Sequence, residues 1–534
     1  MPNRKPNSLP RRILMIVLVV VSLVAIALAI TAYIVLHRAS PILKGRVIQT
    51  LETYFHGNVE LGTFEVSILN GLDVSGTNLR IYAPDDVVAA GATAPIITVG
   101  NFAFHADIRA LLEHPTRIHS VRVSGLEVRI PPRQQRNAAP RTEKKPHRIE
   151  IAADEIEFTD SRLIIVNGNP NKPDKDFELK HILLKNFGPG SPSNYEATLT
   201  NAIPKGEIHT TGTFGPWNAE SPGDSPVTGI YRFDHADLNT IKGIGGILNS
   251  TGKFSGQLNH IVADGTAHVP DFTLDSANHP MPLTTAFHVI VDGLTGDTYL
   301  QPVQATLGRS NFTCTGSVVN IKGVGHTIDL DIHVPAGHLE DFLQLAVKTR
   351  PPVMTATLGM NTHLHIRPGK DSVTHKLSLE KGTFSMSNIH FTNPKTQDKV
   401  DELSARASAR PEDAHPGADD VLSHMTGTFT LGAAKLTIPT LDYRLPGATA
   451  HLTGVYSLDG EQFEFAGKVR TDARVSQMIK PGWKSTLLKL ADPFFAKNGA
   501  GAEIPVKISG TKEAPHFGLD FGSKTEKRLE GAKR

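Results

Sequence analysis

A period of two runs through most of this chain. From Val59 onward apolar residues alternate with polar ones: Val59 and Leu61, then Phe64, Val66 and Ile68, then Leu72 and Val74, then Leu79 and Ile81. Alternation of this kind gives a strand one buried and one wetted face, which is the habit of antiparallel sheets. Gly62, Gly71 and Gly76 punctuate the run and read as bulges or turns. Residues 102–108 continue the pattern into a short helix over 108–113. Val121 and Val123, then Leu126, Val128 and Ile130, predict two more strands around Gly125.

Residues 149–521 read almost entirely as strand. Ile328, Leu330, Ile332 and Val334 alternate with Asp329, Asp331 and His333. Leu358, Met360, Leu364 and Ile366 alternate with Asn361, His363, His365 and Arg367. Phe463 and Phe465 alternate with Gln462 and Glu464, and Ile504, Val506 and Ile508 with Lys507 and Ser509. A loose motif recurs as Thr211-Gly-Thr-Phe, Thr251-Gly-Lys-Phe, Lys381-Gly-Thr-Phe and Thr426-Gly-Thr-Phe, each placing a glycine at a strand start. Its spacing is irregular, so it marks one sheet extended by hairpins and not a tight solenoid.

Three stretches depart from the strand period. The first, bounded by Ile13 and Leu36, holds no charged side chain. As a helix its 24 residues reach about 36 Å, enough to cross a hydrocarbon core of about 30 Å. Arg4, Lys5, Arg11 and Arg12 precede it with no acidic residue among them, so the N-terminus is expected in the cytoplasm and the rest translocated. The alternative is a cleaved signal with Ala27-Leu28-Ala29 as its site, but the apolar run continues past that point. In the second, Ser40-Pro41 opens a helix with Leu43, Val47, Leu51 and Tyr54/Phe55 on one face and Gly57 at its end. That helix either lies in the membrane interface or packs under the first strands. The third is a helix over 483–495 carrying a stripe of Trp483, Leu487, Leu488, Phe494 and Phe495, with Lys484 and Lys489 opposite. It either caps the last strands or docks on a partner or an anionic membrane surface.

Composition narrows the classes. Lys plus Arg number 55 against 53 for Asp plus Glu, a balance that offers no basic face for nucleic acid. Basic residues also cluster in the proline-rich stretch 131–148, which reads as a solvated linker with anionic lipid contact as the alternative. Cys314 is the one cysteine, so no intramolecular disulfide forms and an exported chain of this kind suits a bacterial envelope. Catalytic signatures are lacking. Gly246 to Lys253 has the wrong spacing for a phosphate loop and Phe254 in place of the magnesium hydroxyl, and no Gly-x-Ser-x-Gly or His-Glu-x-x-His occurs. His363 with His365, and Asp329 with Asp331, each share a strand face and read as solvated pairs, not ligands or catalytic acids.

The C-terminal third carries a resemblance. The run from Gly454 through Val-Tyr-Ser-Leu-Asp-Gly-Glu-Gln-Phe-Glu-Phe-Ala-Gly, then Lys484-Ser-Thr-Leu-Leu-Lys, Asp492-Pro-Phe-Phe and Gly499-Ala-Gly-Ala-Glu-Ile-Pro-Val-Lys-Ile-Ser-Gly-Thr, resembles the C-terminal segment of the AsmA-like family. Residues 55–81, a short helix leading into strands, resemble that family's membrane-proximal start; 150–400 match only in strand and glycine character. The resemblance implies a bacterial inner-membrane protein, single-pass, whose periplasmic β-sheet curls into a groove that shields phospholipid acyl chains and contributes to outer-membrane biogenesis. It implies no catalytic residue and no cofactor.

The expected fold is therefore mainly β: one transmembrane helix, then an elongated, curled antiparallel sheet with a few short amphipathic helices. Its expected segments are a cytoplasmic end (1–12), an anchor (13–36), a membrane-proximal helix and strands (37–130), the linker (131–148), a groove (149–400), an AsmA-like segment (401–522) and a basic tail (523–534). Ile328, Leu330, Ile332, Val334, Leu364, Ile366, Phe463, Phe465, Ile504 and Val506 are the candidate apolar face of the groove. Expected partners are phospholipid acyl chains, the inner membrane and a periplasmic or outer-membrane contact at the C-terminal end. A sheet apolar on one face must bury it on something, and packed β-sandwiches serving as an assembly scaffold are the alternative to a lipid-filled trough. A cell-envelope hydrolase is the third reading.

Overall fold

In the computed structural model the described residues run from 40 to 519, less 132–150 and shorter stretches, chiefly 68–70, 110–115, 167–173, 416–420 and 497–500. The expected anchor and its basic flank, the helix over 108–113, most of the linker and the tail lie outside them. No helix among the described residues is long and apolar enough to cross a membrane. The chain is mainly β, with 25 strands and few helices among the described residues. It divides into two compact units. The first takes in the chain up to Thr240, Ile247–Ala267 and His288–Thr298; the second takes in Ile241–Gly246, His268–Phe287 and Tyr299 onward.

The first unit opens with helix α1 (Ser40–Phe55). Strands β1 (Gly57–Glu60) and β2 (Phe64–Ser67) both pair with β3 (Leu72–Pro84). After α2 (Asp85–Ala89), β4 (Ile97–Ala106) and β5 (Thr116–Ile130) continue the antiparallel order. Then β6 (Ile151–Ile165), β7 (Lys175–Phe187), β8 (Ser193–Asn201), β9 (Lys205–Phe214), β10 (Pro226–Asp237) and, past the two-residue β11 (Ile244–Gly245), β12 (Ile247–Gln257) follow.

One junction breaks the expected antiparallel rule. β5 and β6 run parallel, with Thr116 opposite Ile151 and Ile130 opposite Ile165. Parallel neighbours cannot be joined by a hairpin, because the chain must return to the starting end. The basic proline-rich stretch stands at this crossover.

Val47 and Leu51 of α1 are each 1 % exposed and pack with Leu72, Val74, Leu79, Ile81, Ile97, Val99 and Val121. Of the two placements open to this helix, the structure shows packing under the first strands. Its end differs from expectation: His56 takes the left-handed conformation (φ 55°), and Gly57 already belongs to β1. There the backbone carbonyls of Tyr82 and Ala83 crowd where a Cβ would stand, so close strand approach requires the glycine. The two strands expected around Gly125 are one. Gly125 (φ 65°) lies inside β5, and the register with both β4 and β6 is the same on either side of it.

The second unit contains β13 to β15 in part (His260–Leu274, Met281–Val291 and Thr298–Leu307) and then a plain meander. Its strands are β16 (Ser310–Ile321), β17 (Gly325–His338), β18 (Met354–Ile366), β19 (Leu377–Phe391), β20 (Ser423–Gly432) and β21 (Lys435–Leu445). β22 (Ala448–Ser457), β23 (Gln462–Thr471), β24 (Ala502–Thr511) and β25 (Pro515–Leu519) complete it. Each strand from β16 on pairs antiparallel with the next.

Helices α3 (Leu339–Ala346), α4 (Val373–Lys376) and α5 (Pro394–Ala407) interrupt this meander. Asn393 caps α5 by accepting from the Lys395 amide, with Pro394 at the first helical position. Buried carboxylates fasten both longer helices. Asp341 of α3 accepts from the Arg309 amide at 2.9 Å and the Ser310 hydroxyl at 2.8 Å. Asp401 of α5 accepts from the Val421 amide at 3.1 Å and the Gln397 side-chain amide at 2.9 Å.

The recurring glycine motif sits in mid-strand, not at strand starts. Gly382 of β19 faces Phe429 of β20, while Phe384 faces Gly427. The same reciprocal exchange joins β10 and β12, where Gly229 faces Phe254 and Tyr231 faces Gly252. In each case the missing Cβ leaves room for a cross-strand ring to lie on the backbone, a filling that compensates a bare glycine.

Candidate functional site

Register decides which apolar residues share a face, since directly opposed residues in an antiparallel ladder point the same way. Leu330 stands opposite Leu364, and the row continues through Leu379, Leu431, Leu436 and Tyr456 to Phe463. Seven neighbouring strands, β17 to β23, thus carry one apolar stripe. A second row runs Val334, Met360, Phe384, Gly427, Leu441, Leu452, Gly467 and Val506. Ile328 opposes Ile366, Phe465 opposes Ile508, and Ile504 opposes Val469 on the same side. All ten candidate groove residues therefore lie on one face of the second unit.

That face is not uniformly covered. Val334 is fully buried opposite Met360, which packs, with Phe342 and Leu343 of α3 and Leu403 of α5, against a buried cluster that includes Leu339, Leu358, Phe384, Phe429, Leu441 and Leu452. The other nine candidates are only half-buried, as are Leu379, Leu431, Leu436 and Tyr456 in the first row. One end of the face lies under helices; the other keeps its side chains in partial contact with solvent.

In the first unit, Tyr195, Gly212, Gly229 and Phe254 form one cross-strand row, and both aromatic residues are half-buried. The Tyr195 hydroxyl lies 3.2 Å from that of Thr210, and Tyr231 lies 3.1 Å from the Ser250 hydroxyl. Burial pushes both phenols up in pKa.

The opposite face of β17 and β18 holds a feature that periodicity alone did not expose. Asp331 faces His363 and Asp329 faces His365, and the side chains meet at 2.9 and 2.6 Å. The hydrogen bond to Asp331 raises the pKa of His363, opposed by slight burial and reinforced by Asp329. Similar pairs recur: His105 with Asp73 at 2.7 Å, His288 with Asp264 at 2.7 Å, and His451 with Asp442 at 2.5 Å. The two residue pairs read as separately solvated are therefore each other's partners. No group of three or more His, Cys, Asp or Glu among the described residues could hold a metal ion. Cys314 is half-buried opposite Ile332 on the apolar face, and burial raises its thiol pKa.

The helix expected over 483–495 is two short ones, α6 (Trp483–Leu488) and α7 (Asp492–Phe495). The buried Asp492 carboxylate accepts from the Ser476 amide at 2.9 Å and its hydroxyl at 2.6 Å, which holds the second helix to the turn after β23. Leu488 and Phe495 are half-buried, while Leu490, between the helices, is 83 % exposed. The side chains of Trp483, Leu487 and Phe494 lie outside what is described.

No family model, curated protein or solved structure matches the chain.

Proposed function

We propose that this chain is an inner-membrane-anchored lipid-binding or lipid-transfer protein of the bacterial periplasm, whose apolar sheet face receives phospholipid acyl chains. The observation that carries the reading is the half-buried row from Leu330 to Phe463, seven strands wide. Leaving such side chains partly wet is unfavourable, at about 25 cal/mol per Å² of exposed apolar surface, and contiguous apolar rows on a surface are characteristic of binding sites. The uncharged stretch between Ile13 and Leu36 supports a membrane anchor, and the likeness of both chain ends to AsmA-like proteins points the same way. In this reading Ile328, Leu330, Ile332, Leu364, Ile366, Phe463, Phe465, Ile504 and Val506 contact acyl chains, and Val334 belongs to the supporting core.

The assembly-scaffold reading draws on the helix-covered cluster around Phe384 and Leu441, which is packed as a dry core would be. Mass spectrometry of the full chain, extracted and purified in mild detergent, separates the two. Several co-purifying phospholipids are expected; a lipid-free protein would leave the scaffold.

A further inference from the structure

An open cavity of about 590 Å³ lies against the paired ends of β19, β20 and β21. Two irregularities adjoin it. The β19–β20 register shifts between Leu379 and Gly382, and the β20–β21 register shifts between Thr428 and Thr430. Bulges of this sort re-aim side chains beside binding sites.

Backbone strain concentrates at the same place. Lys381, on the cavity wall, has φ 51°, and Ala433 and Ala434 in the adjoining β20–β21 turn have φ 49° and 58°. A two-residue turn with both residues left-handed strongly favours Asn-Gly, because a Cβ crowds the carbonyl there. Strain of this kind persists where the surroundings hold it, and it clusters at ligand sites.

The cavity's charges are also unusual. Nearby outer-face charges are paired, Asp331 with His363, Asp329 with His365 and Lys507 with Glu464 at 2.7 Å. Lys381, Lys435 and Glu380, all on the cavity wall, make no side-chain hydrogen bond or ion pair among the described residues. Two ammonium groups and one carboxylate thus share an open, hydroxyl-bearing cavity with Thr430 and Thr437. Leu379 and Leu431 also border it, but their side chains belong to the apolar row on the opposite face.

We propose that this cavity binds a zwitterionic phosphate–ammonium group, carried either by a soluble phosphoamine or by the headgroup of an aminophospholipid. Lys381 and Lys435 take the phosphate as point charges with threonine hydroxyls as added donors. Glu380 takes the ammonium. The charge match is independent of the acyl-binding reading above, whose leucine row lies on the opposite face of the sheet.

The test is calorimetric titration of the full chain in detergent with phosphoethanolamine, inorganic phosphate and dihexanoyl phosphatidylethanolamine. Phosphoethanolamine is expected to bind more tightly than phosphate. Lys381→Gln with Lys435→Gln should weaken it by about tenfold or more, and Glu380→Gln should bring the two soluble probes level. Glutamine is isosteric with glutamate and one atom shorter than lysine, and an unchanged melting curve shows the fold is intact. No binding of either soluble probe, or equal binding by wild type and variants, overturns the site. Binding of the short-chain lipid about tenfold tighter than its free headgroup supports the lipid source. Equal binding overturns that source and assigns the cavity to a soluble phosphoamine, whatever the fate of the acyl-binding face.

Discussion

Gly382 lies directly opposite Phe429 across the β19–β20 ladder, and a Cβ on that glycine would stand 2.5 Å from the phenyl ring. The nearest atoms are all in the ring, so Gly382→Ala tests the ring's seat without a backbone clash. Overpacking of this kind is expected to cost about 1–3 kcal/mol, read as a lower melting temperature. Phe429→Leu in the same chain should recover part of it. Gly432 in β20 has nothing within 4 Å of its Cβ position, so Gly432→Ala is the neutral control.

Half-burial and full burial on one face predict opposite outcomes for a charge. Leu330→Asp or Ile332→Asp should leave a folded protein, since water still reaches these positions, but co-purifying lipid should fall. Val334→Asp, at 0 % exposure, should unfold the unit, because an unpaired buried charge costs several kcal/mol. Asp331→Leu on the other face should spare lipid. Unfolding by Leu330→Asp as severe as by Val334→Asp would argue for a closed core.

Much of this was legible from alternation. The faces of β17, β18, β23 and β24 follow directly from their period of two, and Val47 and Leu51 mark the buried side of α1. Register was not legible. Nothing within β17 says that Asp331 stops opposite His363, because pairing depends on turns and bulges outside the strand. Helix α5 was hidden for a different reason. Its buried side is Gln397, Asp401, Ser404, Ala405 and Ala407, so no apolar stripe signals it. Gly125 shows a third limit: a glycine inside alternating residues fits a continuous strand and a break equally well.

The His363 pKa is raised in the fold, first by its hydrogen bond to Asp331, with Asp329 also facing it and Glu380 opposite on β19. A raised histidine pKa stabilises fully below the unfolded value of about 6.5, and that contribution is lost as pH rises through the folded value. Asp331→Asn should therefore lower the melting temperature more at pH 5 than at pH 8. The pair is partly exposed, so the difference should stay within about 1 kcal/mol. An equal loss at both pH values would mean that Asp331 acts through packing.

At the far end, Asp492 and the lysines separate a cap from a docking element. Asp492→Ala leaves the buried Ser476 amide and hydroxyl unpaired and should cost about 1–3 kcal/mol in a thermal melt. Lys484→Glu with Lys489→Glu should change stability little. If the region also meets anionic membrane, that double variant should lose about 1 kcal/mol of vesicle affinity per lysine. Unchanged vesicle binding would leave only the capping role.

The parallel junction turns the proline-rich stretch into a ruler. Ile130 and Ile151 are held a strand apart by the β5–β6 register, 14 residues or about 46 Å at 3.3 Å each. The 20 residues of 131–150 cannot span more than about 70 Å even when fully drawn out. Shortening them beyond about six residues must therefore pull the register apart, while lengthening them costs only a little closure entropy. Severing them leaves every rung of the β5–β6 ladder in place, so the chain should tolerate being made as two polypeptides divided there.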